Sequence, residues 1–387
     1  MKIAHIAPPW IRIPPENYGG TEIVIYNLVE EQVAQGHEVT LFAPGDAETP
    51  AKLVSFFPKS LLEIGVPWPA HPRAFYHLYK SIEYVKEHDF DIVHTHLSSS
   101  SDIYIFPLTA ALTTPHVTTL HSRFPFERVG SWLGDSVSPG ADELYMEWAP
   151  FVPMVAISES ARAEVSYKLN FVGVVHHGLP MKEFTPTGAK RGDFLVWLGR
   201  IIPDKGTDLA VKAAKEAGVP IVLAGTVDQY DPDSVNYYDE VIKPLVDGKQ
   251  VKYVGPVNME EKIELLSEAR ALLNPIEWEE PFGMVMIEAM ALGCPVIAFN
   301  RGAASEIVEH GKTGFVVSDV EEMVRFIPRV DEIDRDATRA YVERDFSARA
   351  MAEKYTRVYN KVIKMTRETS TDRSIAQQKN LLYRESR

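Results

Sequence analysis

Residues 277–297 read EWEEPFGMVMIEAMALGCPVI and place two carboxylates, Glu280 and Glu288, eight positions apart around a predicted helix start. Pro281 biases Glu280 away from the helical region, and apolar residues recur after it at helical spacing. Glu280 is therefore predicted in the loop and Glu288 about a turn and a half into the helix. At about 1.5 Å of rise per helical residue, the two carboxylates lie on the order of 10 Å apart. A retaining hydrolase needs about 5.5 Å, which excludes that kind of pair. The spacing alone suits equally two anchors for one long ligand, or a Glu280 that caps the helix and a Glu288 on its exposed face.

Length and composition favour two globular domains without a membrane span. The chain has 387 residues, of which 45% are hydrophobic and 24% charged, and this length exceeds what one hydrophobic core usually supports. The net charge of −14 disfavours nucleic acid and anionic membranes as main partners. Cys294 is the only cysteine, and no apolar run suits a signal peptide or a membrane span. A cytoplasmic protein, at most peripheral to a membrane, is predicted.

Apolar runs alternate with helical patterns, as expected for βαβ units in parallel sheets. Strands are predicted at residues 3–7, 38–42, 91–95, 116–120, 154–157 and 173–176 of the first half, and at 194–198, 220–224, 251–254, 271–274, 296–299 and 314–317 of the second. Residues 180–193 have the Pro, Gly and charged character of a linker. The predicted domains are residues 1–184 and 185–345, each doubly wound. Residues 346–387 add a helix at 347–365 and a polar tail that is expected to be frayed or disordered.

Several motifs resemble those of the family-four retaining glycosyltransferases. Residues 277–297 resemble their donor-site signature E-x7-E with internal Phe-Gly, GGTE lies at 19–22, and Gly199 to Gly206 follow the pattern GR-x4-KG. The matched motifs span most of the chain, from Gly19 to Phe315. The resemblance implies a GT-B fold, with two Rossmann-like doubly wound parallel-sheet domains facing a central cleft. It also implies that the last helix returns to the first domain.

The resemblance implies roles for the second-domain motifs. Arg200 and Lys205 would bind the donor diphosphate; as a bare sequence pattern they are a solvated basic pair. Glu280 would accept hydrogen bonds from the sugar hydroxyls, and Glu288 from the ribose diol, because an ionised carboxylate only accepts and a diol offers two donors. The backbone amides of Phe282, Gly283 and Met284 would assist Glu280.

The first domain supplies three further candidates. Gly19 and Gly20 lie where a strand end meets a helix that Thr21 is predicted to cap, and such helix starts bind phosphate. Two glycines alone also suit a plain turn, and the resemblance favours contact of Gly20, and less so of Glu22, with the donor. His121 ends the strand HVTTLH, and the resemblance places it beside the donor sugar, where it would steady charge at the anomeric centre.

Other histidines leave questions open. His94 and His96 form a His-x-His pair that could chelate a metal, but the pattern offers no further ligand and no metal site is predicted. His177 occupies a position where the family commonly has Asn, which leaves the role of that position unassigned.

Together these features predict a hexosyltransferase that retains the α configuration and uses a nucleoside-diphosphate sugar, with a UDP-sugar preferred over a GDP-sugar and no other cofactor. The resemblance implies front-face attack, with the departing phosphate accepting the acceptor proton. A nucleotide-sugar epimerase, a sugar phosphorylase and a non-catalytic binding protein stay as alternatives. The acceptor is a small molecule, a glycan or a lipid-linked molecule. Loops at 8–18 and 123–140 are predicted to bind it. Their aromatic residues Trp10, Phe124, Phe126 and Trp132 suit a sugar-like or lipid-linked acceptor, and packing is the alternative role of such aromatic residues.

Overall fold

The computed structural model describes residues 1–16, 19–68, 70–124, 141–165, 167–188, 191–229 and 231–385, without the side chains of 141, 142 and 370–385. The chain divides into two compact units. Unit 1 comprises Met1–Ala156, Val165–Val175 and the residues from Ala352 onward, and unit 2 comprises Ile157–Glu164 and His176–Met351. The predicted boundary at residues 184 and 185 lies beyond the change of unit at Val175, and the domain limits stay a prediction.

Unit 1 contains a parallel sheet, and seven of its strands lie in the described residues, in the order β3-β2-β1-β4-β5-β6-β7. These strands are β1 Lys2–Ile6, β2 Glu38–Phe42, β3 Lys52–Val54, β4 Ile92–Leu97, β5 His116–Leu120, β6 Pro153–Ala156 and β7 Asn170–Val174. The central strands β4 and β5 are buried along their whole length, as expected for strands covered on both faces.

Unit 2 contains a second parallel sheet, with six strands in its described part in the order β10-β9-β8-β11-β12-β13. These strands are β8 Leu195–Arg200, β9 Ile221–Thr226, β10 Val251–Gly255, β11 Leu272–Asn274, β12 Val296–Phe299 and β13 Gly314–Val317. Two hydrophobic clusters cover this sheet, one around Met290 and one around Trp197. Each sheet therefore has the doubly wound, Rossmann-like form that the sequence predicts.

Helices connect the strands. They are α1 Gly20–Ala34, α2 His71–Glu87, α3 Ile105–Ala110, α4 Ala141–Tyr145, α5 Glu159–Ala163, α6 Thr207–Glu216, α7 Pro232–Tyr237, α8 Met259–Glu268, α9 Met284–Ala291, α10 Ala304–Ile307, α11 Val320–Phe326, α12 Arg335–Asp345 and α13 Ala348–Glu385. Among the described helices, none is both long and apolar enough to cross a membrane. The cytoplasmic location stays a prediction.

The order of strands reverses once in each sheet. In unit 2 the chain moves outward from β8 to β10 and then returns, so that β11 lies on the other side of β8. In unit 1 the same reversal places β4 beside β1. Loops leaving the carboxyl ends of the two strands at a reversal diverge, and the crevice between them is where open α/β sheets bind ligands.

The strand predictions are confirmed to within a few residues, with two differences elsewhere. The short edge strand β3 is missing from the prediction, since three residues form no recognisable pattern. Helix α9 begins at Met284, after the N-cap Gly283, and so places Glu280 in the loop and Glu288 in the helix, as predicted. Helical backbone continues to Glu385, through the tail that was expected to be frayed.

Unit 1 buries several imidazoles, including His5 in β1 and His77 in α2. Burial lowers the pKa of each ring from 6.5 to about 4, because desolvation disfavours the charged form. Glu22 in α1 shifts in the opposite sense, since burial raises the pKa of this carboxyl to about 7. Between pH 4 and 6.5 the unfolded chain binds more protons at the histidines, whereas the folded chain binds more at Glu22 between pH 4.5 and 7.

The free energy of unfolding is expected to fall as pH falls below 6.5. Each buried histidine contributes up to about 1.4 kcal/mol per pH unit, and Glu22 offsets about one of them. Replacing His77 by Gln should flatten the pH dependence measured by urea denaturation between pH 5 and 6.5. Ser81 is buried on the same helix and does not titrate, so Ser81→Ala should keep the wild-type slope. An unchanged slope in His77→Gln would contradict this reasoning.

Candidate functional site

The reversal in unit 2 brings the predicted donor-binding residues to one edge of the sheet. Arg200 is the last residue of β8, and Lys205 closes the short turn that follows it. Glu280 lies in the loop that leaves β11, the strand on the other side of the reversal. Both strands are parallel, so these side chains all follow carboxyl ends at the same crevice.

Lys205 and Glu280 form an ion pair between Nζ and Oε2. Both side chains are mostly shielded, with 18% and 17% of their surface exposed, so solvent screens the pair less than it screens a surface pair. The Lys205 ammonium also lies 5.1 Å from the centre of the Trp278 ring. The indole nitrogen of Trp197 donates to the carbonyl oxygen of Lys205 at 3.1 Å and fixes the turn. The sequence placed these two side chains at one site without predicting that they pair.

The Glu280 loop is held by the segment that follows β12. The amide of Gly302 donates to Oε2 of Glu279, and the amide of Ala303 donates to the carbonyl oxygen of Glu280 at 3.0 Å. Gly302 has φ of 52°, and a Cβ at this position would stand 2.1 Å from the Glu280 carbonyl oxygen. Only glycine allows the two backbone segments to come this close, which is the structural reason for a glycine at position 302.

Glu288 forms an ion pair with Lys262 on α8, with 3.1 Å between Oε1 and Nζ. Both side chains are largely shielded, at 13% and 19% exposed. Helix α8 begins with a capping box in which Asn258 and Glu261 each accept from the other's amide, which fixes the start of the helix that carries Lys262. Sequence reasoning missed Lys262, because no short motif connects it with Glu288.

At the start of α9, Gly283 is the N-cap of the helix and the ring of the preceding Phe282 is buried. Gly283 is the N-cap with a left-handed φ of 87°, and no side chain caps this end. The Phe282 ring is 2% exposed and packs against His177 at 4.9 Å and Phe346 at 6.2 Å, so the ring belongs to the core of unit 2. Backbone contacts of Phe282, Gly283 and Met284 with a donor stay a prediction.

His177 therefore has a packing role at the position where the related family commonly has Asn. Nε2 of its neighbour His176 donates to Oε2 of Glu306 at 3.1 Å. Burial opposes ionisation of Glu306, yet hydrogen bonds from His176 and from the amides of Glu159 and Ser160 lower the pKa of the carboxyl. Glu306 thus ties three separate segments of unit 2 together.

In unit 1, helix α1 begins at Gly20 with Gly19 as its N-cap, and no side chain caps it. The prediction that Thr21 is the N-cap is wrong. A Cβ on Gly19 would collide with Pro15 at 2.8 Å, whereas a Cβ on Gly20 would meet open space. Glu22 is buried in the first turn, at 5% exposed, so any contact of its carboxyl with a ligand would need the surrounding groups to move.

His121 follows β5 at the carboxyl edge of the first sheet, as predicted, and its amide donates to the Leu97 carbonyl oxygen at 2.9 Å. Desolvation of the partly buried ring lowers its pKa from 6.5 to about 3. The ring is therefore neutral at pH 7. A neutral imidazole stabilises charge only through its hydrogen bonds or dipole and not as a cation.

The His-x-His pair has a third neighbour that the sequence pattern did not show. His5 in β1 pairs in register with His94 in β4, and nitrogens of His5, His94 and His96 lie within 4.8 Å of one another. These are distances that a metal site could use. However, hydrogen bonds engage both nitrogens of His5, to Gln32 and His96, and both nitrogens of His94, and they would have to break for a metal to bind. The absence of a metal stays a prediction.

The predicted acceptor-reading aromatics are in part core residues. Trp10 is 1% exposed and donates to Ser101 Oγ at 2.7 Å, and Phe124 is 4% exposed. Apolar neighbours bury both rings, which favours the packing role over acceptor binding for these two residues. Phe126 and Trp132 lie outside the described residues, as do residues 17, 18 and 125–140 of the predicted acceptor loops.

Family models cover most of the chain. Residues 18–182 match a model described as Glycosyltransferase Family 4, and residues 182–349 match a model described as Glycosyl transferases group 1. The second match contains Arg200, Lys205, Glu280 and Glu288. The chain belongs to the group 1 and family 4 glycosyltransferases.

Relatives resemble this glycosyltransferase over most of its length. It is 25% identical to the phosphatidyl-myo-inositol mannosyltransferase of Mycolicibacterium smegmatis, with 82% of this chain and 81% of the relative covered. The sucrose-phosphate synthase of Thermosynechococcus elongatus has a TM-score of 0.68 at 20% identity, covering 94% and 99% of the two chains. Anabaena HepE, solved with UDP-glucose, has a TM-score of 0.65 at 18% identity, covering 93% and 100%. These structural neighbours are GT-B glycosyltransferases, which confirms the predicted fold class.

Gly302→Ala in this glycosyltransferase is expected to displace the Glu280 loop and lower turnover with any donor by an order of magnitude or more, since small misplacements of reacting groups have such effects. The control is Gly311→Ala, because Gly311 also has a left-handed φ, of 78°, but a Cβ there meets open space. Both variants incur the roughly 1–2 kcal/mol of left-handed strain, measurable by urea denaturation. Equal activity in the two variants would show that the contact with Glu280 is unimportant.

Proposed function

We propose that this glycosyltransferase is a retaining enzyme that moves a hexosyl group from a nucleoside-diphosphate sugar to an acceptor hydroxyl and keeps the α configuration. The observation that carries the proposal is the convergence of Arg200, Lys205 and Glu280 at the strand reversal of unit 2. Two cations following β8 suit a diphosphate, and a carboxylate following β11 suits sugar hydroxyls. The sugar and the diphosphate of one donor would lie side by side at this edge.

Lys205 would contact both the diphosphate and Glu280. Its ammonium has three donor protons, so it can donate to a diphosphate oxygen while Glu280 still accepts one of them. Charge-assisted hydrogen bonds of this kind contribute about 1.5–3 kcal/mol each. Glu280 then stays next to the sugar, with its loop held by Gly302.

Glu288 would hold the ribose. Lys262 engages Oε1 and balances the charge, and an ionised carboxylate can accept several further hydrogen bonds, which suits the two hydroxyls of a diol. Helix α9 begins between Glu280 and Glu288, and the backbone amides of its first turn would stabilise the negative charge of the diphosphate.

In the reaction, the bond between the anomeric carbon and the diphosphate oxygen breaks, and the acceptor oxygen bonds to the same face of that carbon. The proton of the acceptor hydroxyl passes to the departing phosphate oxygen. Arg200, Lys205 and the start of α9 would stabilise the charge that grows on the leaving diphosphate. No carboxylate nucleophile is needed, in keeping with the ion pairs that engage both Glu280 and Glu288.

A UDP-sugar is the proposed donor. Support comes from the structural likeness to HepE, which was solved with UDP-glucose. A thermal-shift comparison of UDP, GDP, UDP-glucose and GDP-mannose tests this choice, because a ligand of the native state raises its apparent stability according to affinity. A larger shift with the guanine nucleotides would overturn it.

Slow hydrolysis of the donor tests the stereochemistry without knowledge of the acceptor. With UDP-glucose and water as acceptor, proton NMR of the fresh reaction should show α-glucose before mutarotation produces the β anomer. Release of β-glucose first would overturn retention. An epimerised nucleotide sugar, or a sugar 1-phosphate after addition of phosphate, would favour the epimerase or phosphorylase alternative. Tight UDP-glucose binding without any turnover would favour a non-catalytic binding protein.

The two glutamates are expected to separate in calorimetry. Glu288→Ala should weaken binding of UDP and of UDP-glucose by about 10- to 100-fold, because the ribose contact is common to both ligands. Glu280→Ala should not weaken UDP binding but should abolish turnover. Glu264 is exposed on the same helix as Lys262, and Glu264→Ala should change neither affinity. Equal loss of UDP affinity in Glu280→Ala and Glu288→Ala would refute this division of roles.

A further inference from the structure

Residues 157–164, here called the crossing segment, lie in sequence between β6 and β7 of unit 1 but belong to unit 2. The crossing segment contains α5, with Ser158 as the N-cap. Ser158 is fully buried, and its hydroxyl accepts from the amide of Ala161 at 2.9 Å. The same hydroxyl donates to the carbonyl oxygen of Pro281 at 2.6 Å. Because Pro281 follows Glu280, this hydrogen bond attaches the crossing segment to the loop that carries the proposed sugar-binding carboxylate.

Two consecutive carbonyl groups of the Glu280 loop are held by different segments of unit 2. The oxygen of Glu280 accepts from the amide of Ala303 at 3.0 Å, and the oxygen of Pro281 accepts from Ser158. Pro281 is buried, so its carbonyl oxygen depends on a protein partner. With the directions of both carbonyl groups fixed, the backbone has little freedom at the residue whose side chain pairs with Lys205.

Glu306 connects the two groups that hold this loop. It lies on α10, which begins directly after Ala303. Its Oε2 accepts from the amide of Glu159 at 2.8 Å, and its Oε1 accepts from the amide of Ser160 at 2.7 Å. These amides belong to the first turn of α5, directly after Ser158, where the helix itself offers no acceptor. The contacts therefore form a closed ring that runs from the loop through α10 and α5 and returns to the loop.

We propose that Ser158 and Glu306 are positioning residues that hold the Glu280 carboxylate where it receives the hydroxyl groups of the donor sugar. The part that concerns the sugar rests on the proposed function. Neither side chain needs to touch a ligand, since both act through the loop that carries Glu280. An N-cap role alone would account for the contact of Ser158 with Ala161, but not for its donation to Pro281.

Hydrogen exchange tests the positioning without any substrate. Ser158→Ala should speed exchange of the Ala303 amide about tenfold, because the loop that carries the acceptor of this amide loses one of its attachments. Ser347 offers a matched control in unit 2, since it is also buried and its hydroxyl also accepts from a backbone amide, that of Ala350 at 3.1 Å. Ser347→Ala should keep the wild-type exchange rate at Ala303. Equal rates in the two variants would overturn the proposal.

Turnover should follow the same pattern. In Ser158→Ala, kcat for hydrolysis of UDP-glucose is expected to fall about tenfold with an unchanged Kd for UDP, because a displaced Glu280 affects the sugar and not the nucleotide. The rate is counted per UDP-binding site found by calorimetry, so that a loss of folded protein does not imitate the effect. Ser347→Ala should keep kcat within about twofold of wild type.

A conservative variant tests the hydroxyl itself. Ser158→Thr retains a group that can both donate and accept, so kcat should return to within about twofold of wild type. A threonine variant as slow as Ser158→Ala would overturn the role of the hydroxyl.

Glu306→Gln tests whether the contacts act as one ring. The side-chain nitrogen of Gln cannot accept, so a group at the start of α5 loses its partner and exchange at Ala303 should rise. The double variant with Ser158→Ala should have about the same kcat as Ser158→Ala alone, because either change releases the same loop. Effects that multiply would overturn the ring. If Ser158→Ala does not fold, an unchanged exchange rate at Ala303 in Glu306→Gln overturns the proposal.

Failure of the proposed function gives a different result. If the wild-type protein does not turn over UDP-glucose, or Glu280→Ala turns it over normally, the role of Glu280 fails, while exchange at Ala303 still shows whether Ser158 holds the loop. If Glu280→Ala abolishes turnover but Ser158→Ala changes neither exchange nor kcat, only the positioning fails.

Discussion

Parallel strand pairing is the constraint on which both units depend. Every strand pair described in the two sheets is parallel, so each strand's following loop emerges at one edge. One reversal of strand order then separates two neighbouring loops and leaves a crevice between them. In unit 2 the crevice lies between β8 and β11, and Lys205 meets Glu280 there although they are 75 positions apart in sequence. In unit 1 the equivalent reversal lies between β1 and β4.

Sequence patterns predicted this architecture well because buried parallel strands leave a strong local signal. The run that forms β12, for example, is apolar at every position. The start of α9 agrees with the sequence pattern, because the positive φ of Gly283 ends the loop that carries Glu280 and Pro281. Strand β3 was missed because it has only three residues. Lys52 is exposed and Leu53 and Val54 are half-buried, a pattern that is also typical of a loop.

The candidate site was predictable in its members but not in their pairing. Motif spacing identified Lys205, Glu280 and Glu288, because each belongs to a short motif that can be recognised from the sequence alone. The partner of Glu288 comes from a helix whose relative position depends on the whole sheet. His5 appeared in the sequence only as a polar interruption of a strand. Its partners come from α1 and β4, and they approach it only after the sheet and its covering helices have assembled.

The two ion pairs also change the electrostatic potential that an anion meets at the proposed donor site. A protein of net charge −14 that exposed two bare carboxylates at its binding edge would repel a diphosphate before any contact formed. The ammonium groups of Lys205 and Lys262 neutralise those charges before a ligand binds. Because both ion pairs are partly buried, salt screens their attraction less than that of exposed pairs. Glu280 and Glu288 can therefore act as hydrogen-bond acceptors for a polyol without presenting an electrostatic barrier to the phosphates attached to it.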